Sequence, residues 1–241
     1  MSEEFLIFDI WGEAAHFRRY DTTSSPLSWP FPPRPTVFGI LGAILGLDKK
    51  NYLTEFQDES VVVAVSIMQR PRSLRVAFNY TETKNIPMFR TTQHTQIRLE
   101  VLADARYRIF FRHPNQELQS RLTELVRAHQ SIYSVSLGLA SMLADFAFTD
   151  MVKPKPLTLS QATDIVSIVP FTVAQPAKSR DAAPLLLNSV PRHMTPERIV
   201  TAYQDVIYDA RQPNLRVQPR QDNVASPVAY DFGKYGAVIP L

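Results

Sequence analysis

The chain opens on a run that is apolar on both faces, Glu4-Phe5-Leu6-Ile7-Phe8-Asp9-Ile10-Trp11. Such a run predicts a central strand buried on both sides, ended by Gly12. A polar loop from His16 to Pro35 follows, with four prolines between Pro30 and Pro35 that forbid a helix or ladder. Helical apolar spacing then runs from Val37 through Phe38, Ile40, Leu41, Ile44 and Leu45 to Leu47, so a helix is predicted from about Thr36. Gly39, Gly42 and Gly46 share one face of it, and tight packing on a sheet is the reading preferred over contact with a ligand. Strands are predicted over 59–68 and 72–80. A further pair is predicted where Ile97, Leu99 and Val101 alternate with Arg98 and Glu100, and Tyr107, Ile109 and Phe111 with Arg106, Arg108 and Arg112. A turn at Ala103-Asp104-Ala105 would join them, and a helix over 115–128 would follow.

This order predicts an α+β fold. Its core would be a ferredoxin-like or RRM-like antiparallel sheet with helices. The second half is harder to read. Residues 136–147 suggest a helix, 164–173 a strand and 175–191 a proline-punctuated loop. Thr195-Pro196-Glu197 resembles a helix start, yet Val206-Ile207-Tyr208 suits a strand, and 228–241 suggests short closing strands. Lys153-Pro154-Lys155-Pro156 is the expected boundary between an RNA-binding domain (1–150) and a smaller, β-rich C-terminal domain (151–241).

Charge then changes the picture. The net charge is only +3, but it is carried by 19 Arg against 7 Lys. Guanidinium forks pair with phosphates and stack on bases, whereas Arg-for-Lys bias can also reflect base composition of the genome. From Arg70 to Arg112, nine basic residues stand against three acidic ones, a local charge of +6. Arg70, Arg72, Arg90, Arg98 and Arg108 in this window are candidate RNA contacts. The plain alternative is a solvated, salt-bridged strand face. The loop His16-Phe17-Arg18-Arg19-Tyr20 offers phosphate clamping beside aromatic stacking, and Arg34 sits between two prolines; His16, Arg18, Arg19 and Arg34 complete the candidate set.

Catalytic signals are sparse. There is no cysteine, no zinc-type histidine spacing, no phosphate-binding glycine loop and no acidic cluster of nuclease type, so neither a cofactor nor a metal is expected. One metal-free ribonuclease constellation remains: Arg112-His113 with Tyr20 or Tyr52. The acidic start (Ser2-Glu3-Glu4) and the short apolar runs predict neither signal peptide nor membrane span, and a cytoplasmic location is expected.

The run from Phe8 to Arg19, with Gly12 and then Ala15-His16-Phe17-Arg18, together with Phe31-Pro32-Pro33-Arg34-Pro35-Thr36-Val37-Phe38-Gly39-Ile40-Leu41-Gly42-Ala43-Ile44-Leu45-Gly46, resembles the CRISPR-associated Cas-five family. It is closest to the type I-B branch. Weaker agreement continues through Arg90, Gln93, Glu100, Tyr107-Arg108-Ile109 and Leu137-Gly138. The resemblance implies a RAMP-superfamily fold, elaborated by a β-hairpin thumb, and a place at one end of a type I Cascade surveillance complex. It implies a grip on the 5′ repeat-derived handle of the CRISPR RNA, and the large subunit and first backbone subunit as partners. Target DNA would be reached only indirectly, and no membrane is involved. Arg18 and Arg34 match basic positions of the family, flanked by His16 and Arg19. A related branch cleaves precursor RNA with Tyr, Lys and His; here Arg112 stands where that Lys would be, and Arg does not donate a proton at neutral pH.

Overall fold

The computed structural model describes residues 3–22, 25–81, 94–178, 183–209, 211, 213–220 and 228–241. Its elements in chain order are β1 (Phe5–Ala15), β2 (Phe17–Arg18), β3 (Ser28–Trp29), α1 (Arg34–Leu45), α2 (Tyr52–Glu55), β4 (Val62–Gln69), β5 (Arg72–Thr81), β6 (His94–Arg112) and α3 (Gln116–Arg127). Then come β7 (Asp145–Val152), β8 (Lys155–Thr158), β9 (Thr163–Ile165), β10 (Val169–Pro170) and β11 (Ala174–Pro176). The remainder is β12 (Pro184–Met194), β13 (Val200–Asp209), β14 (Leu215–Pro219), β15 (Val228–Asp231) and β16 (Ala237–Val238).

The main sheet is antiparallel, in the order β4-β6-β1-β7. α1 lies in the connection from β1 to β4, and α3 connects β6 to β7. β1 is central, as its two-sided apolar run requires, but it does not end at Gly12 and continues to Ala15. Leu6, Phe8 and Ile10 join Tyr107, Ile109 and Phe111 of β6 beneath α1 and α3, which contribute Val37, Leu41, Ile44, Leu122 and Val126. α3 begins where Asn115 accepts hydrogen bonds from the Glu117 and Leu118 amides, a side-chain cap typical of helix starts.

The predicted turn at 103–105 is absent. β6 is one strand of 19 residues, and Asp104 takes a positive φ of 56° within it. The hairpin is made differently. The C-terminal part of β6 pairs with β1 and β4, while its N-terminal part pairs with β5 from Arg72↔Ala103 to Thr81↔His94 and runs beyond β1 from Val101 back to His94. β4 and β5 therefore follow each other along one side of β6, interrupted at Arg70-Pro71. The result is a two-stranded ribbon running out from the sheet. Leu74, Val76, Phe78 and Tyr80 face one way with Ile97, Leu99 and Val101, and Arg75, Ala77 and Asn79 face the other with Glu100, Arg98 and Gln96.

Among the described residues, the second half is built of strands, with one 3-10 turn at Gly233–Tyr235. Residues 136–147 form no helix; Ser136 bridges Leu143 across a turn before β7. The predicted strand over 164–173 is broken into β9 and β10. Part of the supposed proline loop is β12, an edge strand in the order β10-β13-β12, where missing proline amides are tolerated. Thr195-Pro196-Glu197 forms the turn between β12 and β13 rather than a helix. The tail does close with short strands, in a sheet ordered β11-β14-β9-β16-β15-β8.

This second half covers the sheet face away from the helices. Phe5, Ile7, Ala64 and Phe110 pack under Phe232 and Val238, with Phe232 edge-on to Phe5 at 5.2 Å. The free edge of β4 is also occupied: the Ile168 amide donates to Val65 O and the Leu241 amide to Val63 O. No helix among the described residues is long and apolar enough to cross a membrane.

Candidate nucleic-acid interface

The sequence offers two arginine-bearing regions, and the fold treats them differently. On the sheet face, Asp9 stands opposite Arg108 and Trp11 opposite Arg106. Arg108 donates to Asp9 at 2.7 and 3.0 Å, and Arg106 reaches the same carboxylate at 3.2 Å. Asp9 is only 5% exposed. The Arg108 guanidinium also lies 5.2 Å from the Tyr235 ring, whose hydroxyl donates to Asp150 at 2.9 Å. On the face predicted to be wet and basic, Arg108 is thus paired and roofed while Arg106 stays half exposed, and Arg108 is corrected from a free contact to a structural one.

Arg34 is also interior, at 3% exposure. Its Nη2 donates to Val61 O at 3.0 Å, Nη1 approaches His193 Nδ1 at 3.3 Å, and the guanidinium lies 4.8 Å from the Phe38 ring. It has no carboxylate partner, and burial, with Arg192 nearby, pushes its pKa down to about 10. Arg34 is therefore corrected from an exposed candidate contact to an interior residue. Arg19 is held by Asp21 at 2.7 Å and lies over Trp29 at 4.8 Å. Arg72 pairs with Asp104 at 2.8 Å, exposed to solvent. Arg70 borders a separate groove beside Tyr208 and Arg211. Arg98 is exposed on the polar ribbon face, with no ion pair among the described residues. Arg90 lies outside the described residues.

Of the nine predicted residues, the fold brings His16 and Arg18 into one cleft. This cleft of about 670 Å³ lies between α1, the ribbon, the segment 134–139 and the β12–β13 turn. Arg18 is exposed at its mouth, set by pairing with Ser28. His16 forms its wall, its ring Nδ1 2.7 Å from Glu100 O, which makes that nitrogen the donor. The apolar ribbon face adds Tyr80, Ile97 and Leu99, and α1 adds Thr36, Gly39 and Ala43. Tyr52 packs against the helix, where a Cβ on Gly42 would stand 3.1 to 3.3 Å from its ring. The glycine face thus receives an aromatic side chain from α2, not the sheet. Burial raises the Tyr52 hydroxyl pKa, with nearby Arg198 opposing.

Sequence reading missed three parts of this site. Arg198 had no signal, because its segment was read as a helix; it sits in the β12–β13 turn with φ 66° and lines the same cleft as Arg18. Gly138 has φ 100°, and a Cβ there would lie 1.9 Å from His16 O, so the loop can close on His16 only with glycine. Glu100 ties the parts together: its carboxylate accepts from the Ser28 amide at 2.8 Å and from the Ser73 hydroxyl, joining the arginine loop to the ribbon. A carboxylate alternating with Arg98 read simply as strand polarity.

Of the residues weighed for a metal-free ribonuclease, His113 is held in hydrogen bonds of the fold. His113 is buried; Nε2 donates to Glu55 O at 2.8 Å and Nδ1 accepts from the Asn115 amide at 3.1 Å. Both ring nitrogens are committed. Among the described residues, no group of three or more His, Asp or Glu could hold a metal ion.

A family model for the CRISPR-associated protein (Cas_Cas5) matches residues 5–160, well over half of the chain. The chain belongs to the Cas5 family. The match spans β1 through β8 and stops before β12–β13, so Arg198 lies beyond the Cas5 segment. No curated protein sequence matches. Among solved structures, a chain of a "CRISPR RNA-guided surveillance complex" is similar over 89% of this chain and 91% of its own, at 15% identity and a TM-score of 0.54. A CRISPR protein from Archaeoglobus fulgidus is similar over 98% of each, at 13% identity and a TM-score of 0.50. At such identities the likeness is one of fold: a sheet-rich Cas5-type architecture with few helices and a curled antiparallel sheet.

Proposed function

We propose that this Cas5-family chain is a non-catalytic RNA-binding subunit of a type I CRISPR surveillance complex, on the type I-B branch. Its task is to cap the 5′ repeat-derived handle of the CRISPR RNA and to anchor the large and first backbone subunits in the cytoplasm. The sheet order, with helical connections on one face, supports reading the core as the ferredoxin-like unit of RAMP proteins. The observation that carries the reading is the cleft, which Arg18 and Arg198 line together with Tyr80, Tyr52 and His16. Cations at the rim of an aromatic-bearing groove suit a single strand, whose phosphates run along the edge while bases stack inside. Its position at the root of the ribbon lets the ribbon act as the thumb. The engagement of both His113 nitrogens speaks for binding without cleavage.

The test is the RNA that co-purifies with the assembled complex. A uniform 5′ end of repeat origin is expected. Arg18→Glu with Arg198→Glu replaces attraction by repulsion at both rims, and recovered RNA should fall by at least tenfold while circular dichroism stays unchanged. Wild-type recovery by this double variant would move the handle elsewhere. Cleavage of repeat RNA at one position in a chelator, lost in His113→Ala, would overturn the non-catalytic reading.

A further inference from the structure

The cleft wall holds a histidine whose two ring nitrogens are not equivalent. His16 is clamped at its backbone, where its amide donates to Leu137 O at 2.9 Å, and at its ring, where Nδ1 lies 2.7 Å from Glu100 O. Glu100 is fixed in turn: its amide donates to Pro26 O at 3.0 Å, and its carboxylate accepts from the Ser28 amide and the Ser73 hydroxyl. The ring cannot turn over without breaking its bond to a residue that is itself held on three sides.

A carbonyl only accepts, so Nδ1 carries the proton, and in the neutral ring Nε2 keeps its lone pair. Nε2 has no hydrogen-bond partner among the described residues. Unlike Ser66 Oγ and Gln119 Nε2, which are unpartnered and shut off from solvent, it is not sealed. The residue is only 3% exposed, and what it lines is the cleft. The polar atom that this nearly buried ring offers to the cleft is therefore an acceptor. Arg18 and Arg198, on the same cleft, only donate. Phosphate oxygens only accept, so they suit the guanidiniums and are refused by Nε2. What Nε2 can take from a strand is a donor, either the 2′-hydroxyl of a ribose or an amino group on a base edge.

We propose that His16 is a specificity-determining residue of the cleft, with Nε2 accepting a hydrogen bond from a ribose hydroxyl or a base amino group of the bound strand. This inference rests on the cleft being the place where the strand binds. The guanidiniums supply the part of affinity that any strand shares, together with its salt dependence. His16 supplies the difference between strands, because a ligand without the donor leaves a desolvated acceptor unpaired. Glu100 is the positioning residue, since its carbonyl selects the tautomer.

The experiment uses the full chain at low salt in mildly alkaline buffer, where imidazole rings are neutral. Binding of a short fluorescent RNA of mixed sequence is compared with that of two altered strands. One is its 2′-deoxy counterpart. In the other, adenine, guanine and cytosine are replaced by purine, hypoxanthine and pyrimidin-2-one, which lack the exocyclic amino groups. One of the two changes should weaken binding about five- to tenfold, the effect of one hydrogen bond lost with its acceptor left unpaired. Loss with the deoxy strand identifies the hydroxyl, and loss with the base analogues identifies the amino group. His16→Asn keeps a donor for Glu100 O through Nδ2 and deletes the acceptor, so it should bind all three strands within twofold of one another. That ratio does not move with partial unfolding. A nitrogen-15 spectrum of the histidine rings supplies a readout on the wild-type chain: the signal lost in His16→Asn should belong to a ring protonated at Nδ1 and bare at Nε2. A proton on Nε2, equal binding of all three strands by the wild type, or the same discrimination in His16→Asn overturns the inference. The charge-reversed Arg18 and Arg198 double variant tells the two failures apart. If it binds strands like wild type, the cleft is not the site and the proposed function falls too. If it loses them while the wild type does not discriminate, this inference alone falls.

Discussion

One strand carries both halves of the comparison that explains this protein. Along the C-terminal part of β6, Arg106 and Arg108 alternate with Tyr107 and Ile109; along the N-terminal part, Arg98 alternates with Ile97 and Leu99. The pattern is the same and the outcome is opposite. In the body, a single buried carboxylate from β1 is shared by two guanidiniums, and Tyr235 roofs the one nearer the core. In the ribbon, the loop before β3 meets the polar face at Glu100, while Arg98 sits across from Ala77 and is exposed among the described residues. Alternation determines which way a side chain points, but not what comes to meet it. What meets the body face is the tail beyond residue 228, more than a hundred residues away in the chain.

The sharpest way to break the comparison is to take away the shared carboxylate. Asp9→Asn keeps the shape and leaves Arg106 and Arg108 facing each other across a neutral amide. Removing one partner from a buried ion pair costs about 3–5 kcal/mol, and the half exposure of Arg106 puts this case near the lower end. A fall in melting temperature of about 6–12 °C is expected for a chain of this length. RNA recovery by the folded variant should not rise, because the roof remains. A variant as stable as wild type would mean that Asp9 does not do the neutralising.

A smaller effect is expected from opening the roof. Tyr235→Ala removes the ring over Arg108 and the hydroxyl bond to Asp150. A hydrogen bond to a charged group contributes about 1.5–3 kcal/mol, and this one is only partly buried, so a loss of about 1–2 kcal/mol in chemical denaturation is expected. Arg108 would then gain solvent access while keeping Asp9. Non-specific RNA retention should stay within twofold of wild type. A larger gain would show that the roof, and not the carboxylate, silences this face.

The same contrast explains how much could be read in advance. β1, α1, α3 and the strands near 62–69 and 72–81 were legible because their apolar periodicity is local. The long β6 was not, since Asp104 in a positive-φ conformation looks like a turn residue and only pairing with β1 and β5 keeps the strand running. β12 was hidden by Pro184 and Pro191, which an edge strand accommodates. Within the site, Arg18 and His16 were legible from the loop that carries them. Arg34 was misjudged because flanking prolines do not reveal burial. Arg198 was missed because only the β12–β13 pairing brings its turn to the cleft that Arg18 lines.

The smallest expected change in stability comes from the ribbon, and it tests the other half of the comparison. Arg75 and Arg98 are exposed on a two-stranded element whose polar face packs against nothing beyond its own strands at those positions. Exposed strand residues away from such contacts usually change stability by no more than about 0.5 kcal/mol when replaced. Arg75→Ala with Arg98→Ala should therefore melt with wild type. The double variant should differ in how RNA binding responds to salt. Each phosphate contact on a single strand contributes about −0.7 to the slope of log affinity against log salt concentration, so two lost contacts should flatten the slope by about 1.4. Binding measured from low to moderate salt separates the outcomes. A flattened slope with unchanged melting assigns these guanidiniums to phosphates. An unchanged slope would leave the ribbon to its apolar face, where Leu74 and Val76 stand exposed. A drop in melting would mean that ribbon arginines, like those of the body, serve the fold.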